Sequence, residues 1–237
     1  MKDTIKKVLF FLAVIDMVII SCLIRRNIEE SRLERTNAVI SAAAFTEEQR
    51  QEQKPKIALT FDDGPDPVYT EQVLDVLKEK KVRATFFVLG KCVEGNEAVI
   101  KRIVSEGHLI GNHTFDHVSL TELDVFEACE QLTKTGDLVE SLTGQKLEFI
   151  RPPFGAWNCE AECATDLIPV LWSIDTLDWC YQNADRSFAK VEGKVKENDI
   201  ILMHDQYAET VELLKRVIDY LQEQGYELVT VDEIIMN

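Results

Sequence analysis

Lys56-Ile57-Ala58-Leu59-Thr60-Phe61-Asp62-Asp63-Gly64-Pro65 is the stretch on which the reading of the chain turns. Its apolar first half has the pattern of a buried strand. Gly64 and Pro65 cannot continue a strand, so the chain must turn directly after two adjacent carboxylates. Asp62 and Asp63 are therefore expected at the C-terminal mouth of a strand, where α/β proteins keep their chemistry. Neighbouring strand residues point to opposite sides, so one carboxylate can hold a metal while the other stays free as a base. Taken alone, the same residues also suit a plain turn between strand and helix.

Downstream, short apolar runs alternate with amphipathic stretches. Strands are expected over residues 57–61, 84–89, 108–111, 148–150, 169–173, 200–203 and 228–229, and helices over 71–80, 97–106, 121–142 and 209–224. In the last helix Val211, Leu214, Ile218 and Leu221 recur at helical spacing, and Gly225 is a credible stop. The alternation predicts parallel βα units. About seven strands in some 180 residues indicate an α/β fold of the distorted, incomplete (β/α) barrel kind, without the full eight repeats.

Four further segments stand after apolar runs. His113-Thr114-Phe115-Asp116-His117 places two of the four histidines at i and i+4, which on a helical turn share one face. With Asp63 they give two imidazoles and a carboxylate, a set that leaves a coordination position open for water, as catalytic metal sites do. Arg151-Pro152-Pro153-Phe154-Gly155 puts an arginine on a proline-stiffened loop, where it can pair with a carboxylate. Trp172-Ser173-Ile174-Asp175-Thr176-Leu177-Asp178-Trp179 places Asp175 after a strand, between two tryptophans that suit either core packing or sugar stacking. Leu202-Met203-His204-Asp205 ends another strand on a histidine, a candidate general acid.

These five motifs, in this order, resemble those of the polysaccharide deacetylase family (carbohydrate esterase family 4). The likeness runs over about residues 56–204 and continues through Glu233. It implies a distorted β/α barrel holding a divalent ion, usually zinc with cobalt as an alternative, that hydrolyses N-acetyl groups on a glycan. Matched position by position, it implies Asp62 as catalytic base, Asp63, His113 and His117 as metal ligands, and Arg151 as the residue orienting the base. It further implies Asp175 as the carboxylate tuning the acid His204, and Leu202 and Trp179 as walls of the acetyl pocket. Phe154 stands where many members carry Tyr; the resemblance implies only a backbone N–H from that position, so the change is expected to matter little. The implied reaction is N-deacetylation of N-acetylglucosamine in a cell-wall glycan, peptidoglycan foremost. O-acetyl xylan hydrolysis at the same site, or a non-catalytic glycan-binding module, are the alternatives.

Composition bounds the partners. The 237-residue chain has 46% hydrophobic residues and a formal charge of −16. Residues 55–237 hold 17 basic against 34 acidic side chains, a balance that argues against a nucleic-acid binder. A monomer is expected. Lys6 and Lys7 precede the seventeen-residue apolar run 8–24, and Arg25-Arg26 close it. Residues 1–26 are thus expected to be a retained membrane anchor at the short end of spanning length, with residues 27–54 a polar spacer and 55–237 a catalytic domain outside the cytoplasm. Asp16 within the run costs about 2.5–3.5 kcal/mol on insertion scales, which the neighbouring Leu, Ile, Val and Phe offset. A lipoprotein acylated at Cys22 or a secreted form are the alternatives. Cys92, Cys129, Cys159, Cys163 and Cys180 are an odd number, so disulfides are not expected to hold the domain together. Cys159 and Cys163, four apart, read as small buried residues of a helix.

Overall fold

The computed structural model describes residues 54–157 and 166–236, together with Met17, Arg25, Arg26, Arg32 and Arg35. Apart from those five positions and Lys54 the expected anchor and spacer, and also Cys159 and Cys163, lie outside the described residues. No helix among the described residues is long and apolar enough to cross a membrane. The chain divides into two units, Met1–Gln53 and Lys54–Asn237. The second carries the fold.

Its strands are β1 (Lys56–Asp62), β2 (Thr85–Val88), β3 (Leu109–Asn112), β4 (Phe149–Ile150), β5 (Ile168–Pro169), β6 (Ile174–Asp175), β7 (Ile200–His204) and β8 (Glu227–Val229). All pair in parallel, in the order β5-β4-β3-β2-β1-β7-β6, with β8 beside the first half of β1. The longer helices are α1 (Tyr69–Lys80), α2 (Glu97–Ser105), α3 (Val125–Thr143) and α4 (Ala208–Glu223). The α/β barrel-like class expected from the sequence is the one observed. One detail differs: the single strand expected over residues 169–173 is two, β5 at one end of the sheet order and β6 at the other. Only Val170–Ser173 separates them, so the sheet must curl until its two ends nearly meet. They do not pair, and the barrel is left unclosed.

Alternation along the strands builds two cores. Ile57, Leu59 and Phe61 of β1 face outward and pack with Leu74 and Leu77 of α1, Ile100 and Ile103 of α2, and Leu214 and Leu221 of α4. Ala58 faces inward and joins Phe87, Phe149, Val170 and Val231 in the barrel interior. Thr60 and Asp62 continue that inward row toward the mouth. α3 begins on a capping box, in which the Asp124 side chain accepts from the Glu127 N–H and the Glu127 side chain accepts from the Asp124 N–H. Gly144, at φ 73°, closes it in the left-handed conformation that glycine adopts without steric cost. Because every strand runs the same way, all the C-terminal ends open on one face, and the motifs collect there.

Candidate active site

β1 delivers Asp62 to the inside of the mouth, only 3% exposed. Arg151, at the end of β4, lies wholly buried beneath it and donates from Nη1 to Asp62 Oδ1 at 2.7 Å and to Thr60 Oγ1 at 2.7 Å. Its Nε and Nη2 donate to the carbonyls of Val170 and Leu171, each at 3.2 Å. Its guanidinium carbon sits 4.2 Å from the centre of the Phe87 ring. A buried cation with a single anionic partner ties the two positions tightly, since removing one side strands the other charge. Arg151 thus fixes the position of the Asp62 carboxylate.

Asp63 turns the other way because the chain leaves the strand there in the left-handed region, at φ 74°. Its Oδ1 lies 3.4 Å from His113 Nε2 and 3.3 Å from His117 Nε2. The three ligand atoms fall within 4.8 Å of one another. Their convergence is not helical, as the i, i+4 spacing suggested. Residues 113–117 form a loop in which Thr114 (φ 68°) and His117 (φ 62°) are both left-handed, and this folds the second imidazole back onto the first. Such non-glycine conformations cost about 1–3 kcal/mol each and persist where surrounding bonds impose them. Of the eight found among the described residues, Asp63, Thr114, His117, Phe154 and Leu177 all belong to the mouth, so the strain is concentrated at the site.

The donor set suits a divalent cation. Asp63 Oδ1 is buried and has no hydrogen-bond partner, an expensive state unless something positive completes it. His113 Nδ1 donates to the Arg151 carbonyl at 2.5 Å, which leaves Nε2 as the ring atom facing Asp63. Burial raises the Asp63 pKa, but His113, His117 and His204 outweigh it and hold the group below the usual carboxylate value. Burial also lowers His117, favouring the neutral ring that a ligand must be.

β7 brings His204 beside Asp62, its register partner on β1. The carboxylate against His204 is Asp178, not Asp175. Asp178 Oδ1 accepts from His204 Nδ1 at 2.8 Å, and its Oδ2 accepts from the His204 N–H and from Thr210 Oγ1, both at 2.7 Å. Asp175 instead caps its own turn, accepting from the Leu177 N–H at 2.8 Å. The left-handed Leu177 (φ 54°) swings the chain so that the second aspartate of the motif is carried inward. Burial disfavours the charged imidazolium, but Asp178, with Asp62 and Asp63 behind it, prevails and pushes His204 up to about 9. The proton is therefore held through neutral pH and lost as pH rises past that value. Asp178→Asn removes the main support, so in the metal-free protein the His204 ring signal is expected to titrate well below 9, by NMR. Titration still near 9 in that variant would exclude Asp178 as the cause.

Around these groups stand the expected pocket residues. Leu202 is buried on the same inward row as His204, while Ile201 and Met203 face the outer core. Trp179 is 48% exposed beside Asp178, and Phe154 is 70% exposed, its ring 4.8 Å from that of His117. Both therefore present apolar surface at the rim. Gly64 is required where it stands: a Cβ there would lie 2.3 Å from the buried Asp205 carboxylate, which Thr70 Oγ1 holds at 2.7 Å. Thr60, Asp178 and Asp205 were not singled out in the sequence. All three lie inside the motifs quoted from the sequence, Thr60 two residues before Asp62, Asp178 three beyond Asp175 and Asp205 directly after His204. The three described cysteines, Cys92, Cys129 and Cys180, are free thiols.

An unclosed parallel barrel whose mouth gathers two histidines, paired carboxylates and a buried arginine has the make-up of a candidate metal centre. Residues 49–167 match the family described as polysaccharide deacetylase. A peptidoglycan-N-acetylglucosamine deacetylase, PgdA of Listeria monocytogenes, is 43% identical over 179 residues, 76% of this chain and 38% of the relative. A peptidoglycan-N-acetylglucosamine deacetylase of Bacillus cereus is 35% identical over 76% of this chain and 87% of its own length. The structure of peptidoglycan deacetylase PdaC from Bacillus subtilis superposes with a TM-score of 0.75 at 38% identity, covering 77% of this chain and 90% of that one. The chain belongs to the polysaccharide deacetylase family, although it spans only 38% of the length of the Listeria relative.

Proposed function

We propose that the domain removes N-acetyl groups from N-acetylglucosamine units of a cell-wall glycan, peptidoglycan first, releasing acetate, with zinc as the working ion. The observation that carries this reading is the unpartnered Asp63 Oδ1 facing two imidazole Nε2 atoms, with Asp62 and His204 on adjacent strands beside it. Asp63, His113 and His117 are the three ligands. When bound, the ion polarises the acetamide carbonyl and acidifies water toward neutrality. Asp62, held in place by Arg151, accepts the proton of the attacking water. His204, still protonated at neutral pH, donates to the nitrogen as the C–N bond breaks, so the amine leaves uncharged. Asp178 keeps that imidazole oriented and positive. On this reading Leu202 and Trp179 would line the acetyl methyl, and the backbone N–H at Phe154 would donate to the carbonyl oxygen.

The names of the relatives support the choice of peptidoglycan, and the apolar run 8–24 flanked by basic pairs supports a retained anchor that keeps the domain outside the cytoplasm. On this reading the enzyme works as a monomer. Given zinc, it is expected to release acetate from peptidoglycan and chitin oligomers faster than from acetylated xylan. A strong chelator should silence it, and zinc or cobalt should restore it. Acetate from xylan alone would overturn the N-acetyl reading. Turnover that survives chelation would overturn the metal.

A further inference from the structure

We propose that Gln131, on α3 and outside every motif named above, is a positioning residue that sets the geometry of the ligand pair His113 and His117. The proposal rests on the metal-site reading and extends it to a residue that touches neither ion nor substrate.

The loop from His113 to His117 contains no glycine, has two residues in left-handed conformations and belongs to no helix. Its shape is therefore set by what its backbone bonds to. The His113 N–H donates to the Val88 carbonyl at 3.0 Å, the Thr114 N–H to Asn112 Oδ1 at 2.8 Å, and the His117 N–H to Thr114 Oγ1 at 3.0 Å. The two in the middle, of Phe115 and Asp116, both donate to Gln131 Oε1, at 3.0 and 2.8 Å. Gln131 Nε2 completes the clamp by donating to Asp116 Oδ2 at 3.0 Å. One side-chain amide thus satisfies two of the five loop donors and ties the loop's only carboxylate. The polarity is fixed as well, since two N–H donors require the carbonyl end and a carboxylate requires the amide end.

α3 is itself locked to the strand that carries the loop, because Asn112 Nδ2 donates to the Leu132 carbonyl at 2.8 Å. Lys134, one turn beyond Gln131, holds its ammonium 3.3 Å over the Phe115 ring. The helix therefore grips the loop at its centre while the strands grip its start, and the His117 imidazole is placed by both. Groups that hydrogen-bond a metal ligand typically govern about 10–100-fold in metal affinity, and Gln131 acts on both ligands through the backbone between them.

The test measures zinc affinity of the full chain by chelator competition, and ligand geometry by the visible spectrum of the cobalt form. Gln131→Leu, with folding checked by circular dichroism, is expected to weaken zinc about 10–100-fold and to alter the cobalt bands. Gln131→Glu keeps the acceptor but sets a carboxylate against Asp116, and should also perturb the bands. The double change Gln131→Glu with Asp116→Asn restores a donor–acceptor pair at the wild-type net charge, so it should recover the wild-type spectrum and affinity. This pair decides the matter if the leucine variant does not fold. A leucine variant indistinguishable from wild type, or a double variant no better than Gln131→Glu, would overturn the clamp. Wild-type protein that binds neither zinc nor cobalt would remove the metal site and the clamp with it, and so is told apart from failure of the clamp alone.

Discussion

Asp62→Asn is expected to lower kcat about 10²–10⁴-fold with acetylated oligosaccharide, the range that loss of a positioned general base commonly costs. Zinc content should stay at the wild-type level, because Asp62 approaches His113 Nε2 only to 3.8 Å while Asp63 lies closer to both histidines. The amide preserves shape and an acceptor for Arg151 but can take no proton. It also removes the single anion facing a fully buried guanidinium, so some stability should be lost. Asp62→Ala should lose more, up to about 3–5 kcal/mol, since it leaves Arg151 without its charged partner and with a void. Comparison of melting temperatures separates the two effects. An Asn variant with undiminished kcat would remove Asp62 from the role of base, whatever its stability.

His113→Ala is expected to abolish stoichiometric zinc and, with it, activity by at least about a hundredfold, since even indirect partners of a ligand reach that cost. Two donors, Asp63 and His117, cannot hold a catalytic ion that ordinarily takes three. The same change strips the Arg151 carbonyl of the N–H that His113 Nδ1 supplies, so part of any loss in melting temperature is independent of metal. His117→Ala, at a more exposed position, gives the cleaner comparison. Metal content by emission spectrometry is the readout, and full zinc occupancy in both variants would refute the assigned ligand set.

How much of this was legible in the sequence depended on distance along the chain. β1 could be read because its signals are local: an apolar run, two carboxylates and a Gly-Pro turn. The histidine pair was legible from spacing, though its helical explanation was not the one the chain uses. Two left-handed residues and a glutamine from α3 do that work, and no pattern within five residues encodes them. Asp175 and Asp178 stand three apart in one motif, and only the reversal at Leu177 decides which reaches His204. The contact between Arg151 and Thr60 spans 91 residues and could be drawn only once β1 and β4 shared one barrel. The division of one expected strand into β5 and β6 was equally hidden, because how far a sheet curls depends on all its members together.

β1 runs through the centre of the sheet with Asp62 at one end and Lys56 at the other. At about 3.3 Å per residue, its seven residues span some 20 Å. Lys54 therefore enters the fold at the floor of the barrel, about 20 Å along β1 from the carboxylate at its mouth.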